Sequence, residues 1–314
     1  MKKILIIKHG ALGDIIFCEG AITDIKNHHK DDEVTLLTTP FFGKLLNNHP
    51  CIDKFEIDER KSRWNLVYLY RLIKKLRAQR YDMVYDLQNS NRTKLYHKLM
   101  MPISWSGEAL FASHRYTRKH IHQATCYTHL AKQLQLAQVT TQRCDKPNWL
   151  WLKAPVKHIL SAYQISQPFV LLLPGSSKKH PQKRWPYYAQ LARLLQQQGI
   201  PVFCAPGPDE KELIESFPAP CLLDQNKPLS IPQLIGLSQH CACVIGNDSG
   251  PTHLLARCNT KGIALFNQQI DFHQTSIQAY YSVMQSQDLK QISATAVYDQ
   301  LISVMNSNTE VTQP

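Results

Sequence analysis

Val244-Ile245-Gly246-Asn247-Asp248-Ser249-Gly250-Pro251-Thr252-His253-Leu254-Leu255-Ala256 reads as a short apolar strand, a polar turn and the start of a helix. Asp248 or Ser249 can cap that helix, Gly250 permits a tight backbone, and Pro251 suits a first helical position. Such a turn directs backbone N–H groups at whatever sits above the carboxyl end of the strand, a seat for a phosphate or diphosphate. The same residues also make an ordinary strand-to-helix connection of an α/β protein. The rest of the chain has to decide between the two.

Outward from this stretch, the second half alternates strand and helix signals. Strands are expected at 169–173, 201–204, 221–223, 242–245 and 261–266, with helices at 186–198, after Gly207, at 231–239 and at 293–305. Pro174-Gly175-Ser176-Ser177 follows the first of these strands, then a basic loop over 178–183 and Arg184-Trp185-Pro186. The first half shows the same alternation. Ile4-Leu5-Ile6-Ile7-Lys8 is a buried parallel strand by its continuous apolar run, and His9-Gly10-Ala11-Leu12-Gly13-Asp14 is the glycine turn into a helix over 14–27. The dinucleotide fingerprint with three spaced glycines is missing, since only Gly10 and Gly13 are present. Asp14 falls at the carboxyl end of the first strand, where ligands bind in open α/β sheets. It is either a helix cap or a functional base.

Further strands are expected at 33–38, 55–58 and 82–87. A basic amphipathic helix ends near Gln79, with Leu66, Leu69, Leu72, Ile73 and Leu76 on one face and Arg71, Lys74, Lys75 and Arg77 on the rest. The pattern turns irregular over 106–122. His114, His120 and His122 there match no metal-ligand spacing and have no acidic ligand close by. The polar, proline-bearing stretch 140–155 reads as an interdomain connection. The expectation is α/β: two doubly wound domains, residues 1–155 and 156–314, facing one central cleft.

Charge divides the halves. Residues 1–157 carry 26 Lys and Arg against 14 Asp and Glu, a net +12, whereas residues 158–314 carry 10 of each and are neutral. This asymmetry points to an anionic partner of the first half, nucleic acid, an acidic membrane surface or a phosphorylated substrate, the alternative being a solvated basic face without a partner. The aromatic residues form no interleaved stacking platform, so nucleic acid is not the expected partner. The nine cysteines are scattered with no Cys-x-x-Cys, which argues for reduced thiols in a cytoplasmic protein and against a zinc site. No stretch reads as a membrane span or a secretory leader.

Four segments in this order resemble glycosyltransferase family 9, the bacterial lipopolysaccharide heptosyltransferases: 4–14, 86–93, 174–186 and Asp248-Ser249-Gly250-Pro251-Thr252-His253-Leu254. The resemblance spans nearly the whole chain. It implies the GT-B architecture, two Rossmann-like domains with an acceptor-binding N-terminal half, a nucleotide-sugar-binding C-terminal half and a last helix packing back on the first domain. It implies an inverting, metal-independent transfer of a sugar, ADP-heptose being the expected donor, to a lipopolysaccharide-core acceptor. No cofactor is expected beyond that co-substrate. The absence of an Asp-x-Asp pair agrees with a metal-free site.

By the same resemblance Asp14 is the general base and Lys183 the cation on the donor diphosphate. Ser176, Ser177, Glu210, Asp248, Ser249, Gly250 and His253 line the donor site, Glu210 toward the ribose and Asp248 toward the sugar hydroxyls, with His253 supporting the turn. Lys8, Gly13, Arg60, Lys61, Arg63 and Arg92 face an anionic glycolipid acceptor, reached by peripheral contact at the cytoplasmic face of the inner membrane. Three departures stand out. Asn267-Gln268-Gln269 replaces the usual Gly-Pro-Thr beside the donor pocket, Cys18-Glu19-Gly20 replaces a proline-containing stretch, and Arg257 stands at a small-residue position. Other nucleotide-sugar chemistry on the same fold, epimerase or hydrolase, and a non-catalytic nucleotide-binding protein are the alternatives.

Overall fold

The computed structural model describes residues 1–62, 64–101, 103–118, 125–176, 180–268 and 272–307. The chain divides into two units, Met1–Pro147 and Asn148–Pro314. The boundary lies a few residues before the expected one because 148–155 belongs to the second unit. Ala154 N donates to Pro232 O at 2.9 Å, so this connection is bound to its own unit rather than strung between two.

The first unit contains β1 Lys3–Ile7, α1 Leu12–His28, β2 Glu33–Thr38, α2 Pro40–Leu45, β3 Lys54–Ile57, α3 Leu66–Ala78, β4 Met83–Asp86, α4 Asn91–Met100, β5 Ser104–Gly107, β6 His114–Arg115 and α5 Cys126–Leu136. Its strands form one parallel sheet in the order β3-β2-β1-β4-β5-β6. Ile4 to Ile7 are fully buried, because helices cover both faces of a central parallel strand. Leu5, Ile7, Leu37 and Val84 meet Leu72, Leu76, Tyr96 and Trp105 in one core cluster. α3 reaches that cluster through Leu69, Leu72, Ile73 and Leu76, spaced at i, i+3, i+4 and i+7. Asn65 caps it, its side chain accepting from Tyr68 N at 3.0 Å. The stretch expected to be irregular thus holds the end of β5 and the short edge strand β6. They are too brief and polar for a periodic signal, and buried Trp105 holds β5 in place.

The second unit contains α6 Lys157–Ala162, β7 Phe169–Leu173, α7 Tyr188–Gln197, β8 Val202–Cys204, α8 Lys211–Ser216, β9 Leu223–Asp224, β10 Lys227–Pro228, α9 Ile231–Ser238, β11 Cys241–Asn247, α10 Gly250–Leu255, β12 Gly262–Asn267, β13 Ser282–Ser286 and α11 Ala294–Asn306. Its main sheet is parallel, in the order β13-β12-β11-β7-β8. The strand expected at 221–223 is instead a short antiparallel hairpin of β9 with β10, Cys221 making a single parallel bridge to Cys204. Val297 and Leu301 of α11 are buried in the same core cluster as β7, α7 and β11 residues. The final helix thus buries these two residues in the core of the second unit.

Strand order positions the candidate sites. In the first sheet the order reverses between β1 and β4, and in the second between β7 and β11. A doubly wound sheet opens its ligand crevice at such a reversal, above the carboxyl ends of the strands.

Candidate functional sites of the two units

Above β1, the chain turns through Gly10, whose φ of +83° lies in the left-handed region and whose missing Cβ would fall 2.3 Å from the Phe42 ring. Only glycine combines that backbone with that contact. α1 then starts at Leu12 with Ala11 as its N-cap and no side-chain capping bond. Asp14 is therefore not the cap. It lies in the first helical turn, exposed to solvent, where the helix dipole favours a carboxylate. Gly13 precedes it, half-exposed. Lys8 is buried across the sheet reversal, and its Nζ donates to Leu87 O at 3.0 Å. Its charge is held inside the unit rather than presented to solvent.

The other basic candidates of this unit are organised by Asp58, a carboxylate that sequence reasoning did not single out. Asp58 follows β3 and is fully buried. Tyr96 Oη donates to it at 2.6 Å and Tyr68 Oη at 2.8 Å, and His9 Nε2 lies 3.0 Å away. Arg92 forks onto it, Nε to Oδ2 at 3.1 Å and Nη2 to Oδ1 at 3.0 Å. Burial alone would raise the Asp58 carboxyl, but hydrogen bonds from His9, Tyr96 and Tyr68 prevail and hold it well below the usual carboxylate range. The same carboxylate accepts from Arg60 N at 2.7 Å, fixing Arg60 at a φ of +51°. Arg92 Nη1 donates to Lys61 O at 2.7 Å, and Lys61 Nζ pairs with Glu59 at 2.7 Å. Arg60 and Lys61 thus sit on an exposed loop pinned from beneath by Asp58 and Arg92. Arg92 braces the loop rather than standing free above it. Arg63 lies outside the described residues. The one available signal for Asp58 was a carboxylate closing a strand of alternating charged and apolar residues, Lys54-Phe55-Glu56-Ile57.

In the second unit the loops after β7 and β11 meet. Lys183, on a tight turn over Pro181–Lys183, places Nζ 2.5 Å from Asp248 Oδ2. The other carboxylate oxygen of Asp248 lies 2.8 Å from His253 Nε2. Burial pulls the Asp248 carboxyl upward, but the His253 contact and then Lys183 outweigh it and leave it below its ordinary value. Burial lowers His253, so near neutral pH the ring is uncharged and Nε2–H donates to the ionised carboxylate. Asn247 supplies the frame that was missed: its Oδ1 accepts from Trp185 N at 3.0 Å and its Nδ2 donates to Pro174 O at 2.8 Å. One fully buried amide thereby ties three chain segments together. A polar residue ending a wholly apolar strand was its sequence signal.

Ser249 is the N-cap of α10, with Gly250 and not Pro251 as the first helical residue, and its Oγ lies 3.0 Å from Thr252 Oγ1 instead of capping. Ser176 Oγ is buried with no hydrogen-bond partner among the described residues, an arrangement that calls for an outside acceptor or donor. Ser177 lies outside the described residues. Glu210, expected near the ribose, is buried: Gly207 N donates to its Oε2 at 2.7 Å and Arg184 Nη2 to its Oε1 at 3.3 Å. Its carboxylate packs over Gly175, where any Cβ would come within 2.6 Å of Oε2. Arg257, unexpected at its position, is buried behind His253, donating to His253 O at 2.7 Å and Thr275 O at 2.6 Å. Asn267 Nδ2 donates to Gln287 O at 3.1 Å, and Gln269 lies outside the described residues. His114 Nδ1 lies 3.0 Å from Leu136 O, while His120 and His122 are outside the described residues.

Residues 69–302 match the family description "Glycosyltransferase family 9 (heptosyltransferase)". Lipopolysaccharide heptosyltransferase 1 of Campylobacter coli is 25% identical over 286 residues, covering 84% of this chain and 83% of the relative. Among solved structures, the family 9 glycosyl transferase of Veillonella parvula superposes with a TM-score of 0.82 at 19% identity, covering 97% of each chain. The Escherichia coli ADP-heptose lipopolysaccharide heptosyltransferase II gives a TM-score of 0.76 at 19% identity, covering 97% of this chain and 98% of that one. The two doubly wound units are those of the GT-B fold.

Proposed function

The chain belongs to glycosyltransferase family 9, the heptosyltransferase family, and from that premise we propose that it transfers a heptose from ADP-heptose to a lipopolysaccharide-core-type acceptor, with inversion and without a metal. The observation that carries this reading is the Lys183–Asp248–His253 set at the sheet reversal of the second unit. A cation there meets the need of a reaction whose leaving group is a diphosphate. As the bond from the anomeric carbon to the phosphate oxygen breaks, its electron pair stays on the diphosphate, and Lys183 Nζ offsets the growing charge. Donor binding draws Lys183 from Asp248 Oδ2 onto the phosphates, leaving that oxygen to accept from a sugar hydroxyl while His253 keeps the carboxylate oriented. Ser176 Oγ gains its partner from the same donor.

In this reading Asp14 is the base. Its exposed carboxylate takes the proton of the acceptor hydroxyl as that oxygen attacks the anomeric carbon from the face opposite the leaving group. The braced loop carrying Arg60 and Lys61 receives the anionic groups of the acceptor, which accounts for the concentration of positive charge in the first half. No helix among the described residues is long and apolar enough to cross a membrane. In this reading a lipid-linked acceptor is met by peripheral contact, at the cytoplasmic face of the inner membrane.

Titration calorimetry against ADP-, UDP- and GDP-sugars, paired with product analysis in the presence of acceptor, tests the proposal. The expected result is binding of ADP-heptose about tenfold or more tighter than the other series and a product with inverted anomeric configuration. Tighter binding of a UDP-sugar, or release of free sugar with acceptor present, would overturn it.

A further inference from the structure

The face of α3 turned away from the core is apolar where a surface helix is ordinarily polar. Leu66, Val67 and Tyr70 are 69%, 61% and 65% exposed, and Leu99 of α4 stands beside them at 37%. Together with Leu69, Ile73, Lys74 and Arg77, the side chains of Leu66, Tyr70 and Leu99 line a groove of about 460 Å³. Its floor is Leu69 and Ile73, and its rim carries the charges of Lys74 and Arg77. Residues 60–81 hold eight Lys or Arg and not one Asp or Glu. Within this group Lys75 Nζ lies 2.5 Å from Glu56 Oε2 and Lys61 Nζ 2.7 Å from Glu59 Oε2. Lys74 Nζ stands 5.9 Å from the centre of the Tyr70 ring, so the cation and the aromatic ring are presented together.

We infer that the α3–α4 face is the docking surface for a bilayer of anionic phospholipid, with Leu66 and Tyr70 entering the acyl boundary and Lys74 and Arg77 meeting headgroup phosphates. The inference rests on the proposed lipid-linked acceptor and names the surface by which that acceptor's membrane is engaged. Charge complementarity selects this occupant. An amphipathic helix with apolar side chains at i and i+4, flanked by cations and free of carboxylates, fits an anionic interface. A second copy docked twofold on the same face would bring Lys74 and Arg77 against their own counterparts. The site also lies on the basic unit, whose charge draws it toward an acidic surface over a Debye length.

Sedimentation of the full chain with vesicles of phosphatidylethanolamine containing about one quarter phosphatidylglycerol tests it, against vesicles of phosphatidylcholine alone. The expected result is partition onto the anionic vesicles about tenfold stronger than onto the neutral ones, falling with added salt. The Leu66→Ser/Tyr70→Ser variant should lose about tenfold in partition at unchanged charge, and Lys74→Glu/Arg77→Glu should abolish the preference for anionic lipid. These residues are exposed, so circular dichroism melts should match the wild type. Equal partition of wild type and both variants overturns the inference. So does self-association that Leu66→Ser/Tyr70→Ser disrupts while vesicles bind none of the protein. The vesicles contain no glycolipid acceptor, and donor binding is read separately by calorimetry. Failure of the enzymatic reading therefore leaves this result standing, and the reverse.

Discussion

Lys183 and Asp248, 65 positions apart in the chain, meet at 2.5 Å between Nζ and Oδ2. Their pairing leaves a neutral centre in which the lysine is held ready by a carboxylate that has a second partner, His253. Lys183→Ala should lower kcat/KM by about 10²–10³, the scale of losing one preorganised electrostatic contact to a leaving group. Donor affinity should fall with it, and Lys183→Arg should recover part of both. Steady-state kinetics with calorimetry checks this. An unchanged kcat/KM in Lys183→Ala would remove the lysine from the donor site.

Asp14 is exposed in the first turn of α1 and caps nothing, so its removal should leave the fold alone. Asp14→Asn should lower kcat by about 10²–10⁴, the range of general-base contributions. Donor affinity should not move, and the melting temperature should stay within about 4 °C. Transfer at the wild-type rate would reassign the base.

What the chain revealed in advance divides by the range of the interaction. β1, β7 and β12 are continuous apolar runs because both their faces are covered, and such runs are legible in the sequence. β5, β6 and β13 lie toward sheet edges and carry polar residues, so neither period nor hydrophobicity marks them. The same holds at the sites. The Asp248 turn and its His253 neighbour are local and could be read as a unit. Asp58 could not, since its partners His9, Tyr68, Arg92 and Tyr96 come from the turn after β1 and from two helices, α3 and α4. Lys8 and Arg92 were recognised as cations at the right end of the sheet. Their burial and engagement depend on backbone carbonyls and a carboxylate brought in by the fold.

Asp58→Asn should show how much depends on that carboxylate. The amide keeps the shape but leaves the Arg92 guanidinium without its counter-charge in a largely buried place. A destabilisation of about 3–5 kcal/mol is expected, as for breaking one half of a buried ion pair. Asp58→Asn/Arg92→Met should be less destabilised than the sum of the two single changes, because the residues form one network. Urea unfolding of the four proteins measures the coupling, and strict additivity would show that Arg92 and Asp58 act independently.

Asp86 gives the opposite pH signature. It is fully buried at the end of β4, and its Oδ1 accepts from Gln88 N at 3.1 Å and Asn89 N at 2.9 Å. Burial pushes its carboxyl up to about 6, more than the contacts with Thr93, these backbone N–H groups and Lys8 pull it down. A folded-state value above the unfolded one means that the protonated form is favoured by folding. Its stabilising contribution is complete below pH ~4 and is lost as the pH rises through about 6, a change of about 3 kcal/mol. Asp86→Asn keeps the Oδ1 acceptor and cannot titrate. The stability of the wild type relative to Asp86→Asn should therefore fall between pH ~4 and ~6 and stay level above that. Urea midpoints taken across this window give the difference directly. A difference that does not change with pH would mean that Asp86 is already ionised in the fold at pH ~4, with Lys8 and the backbone donors outweighing its burial.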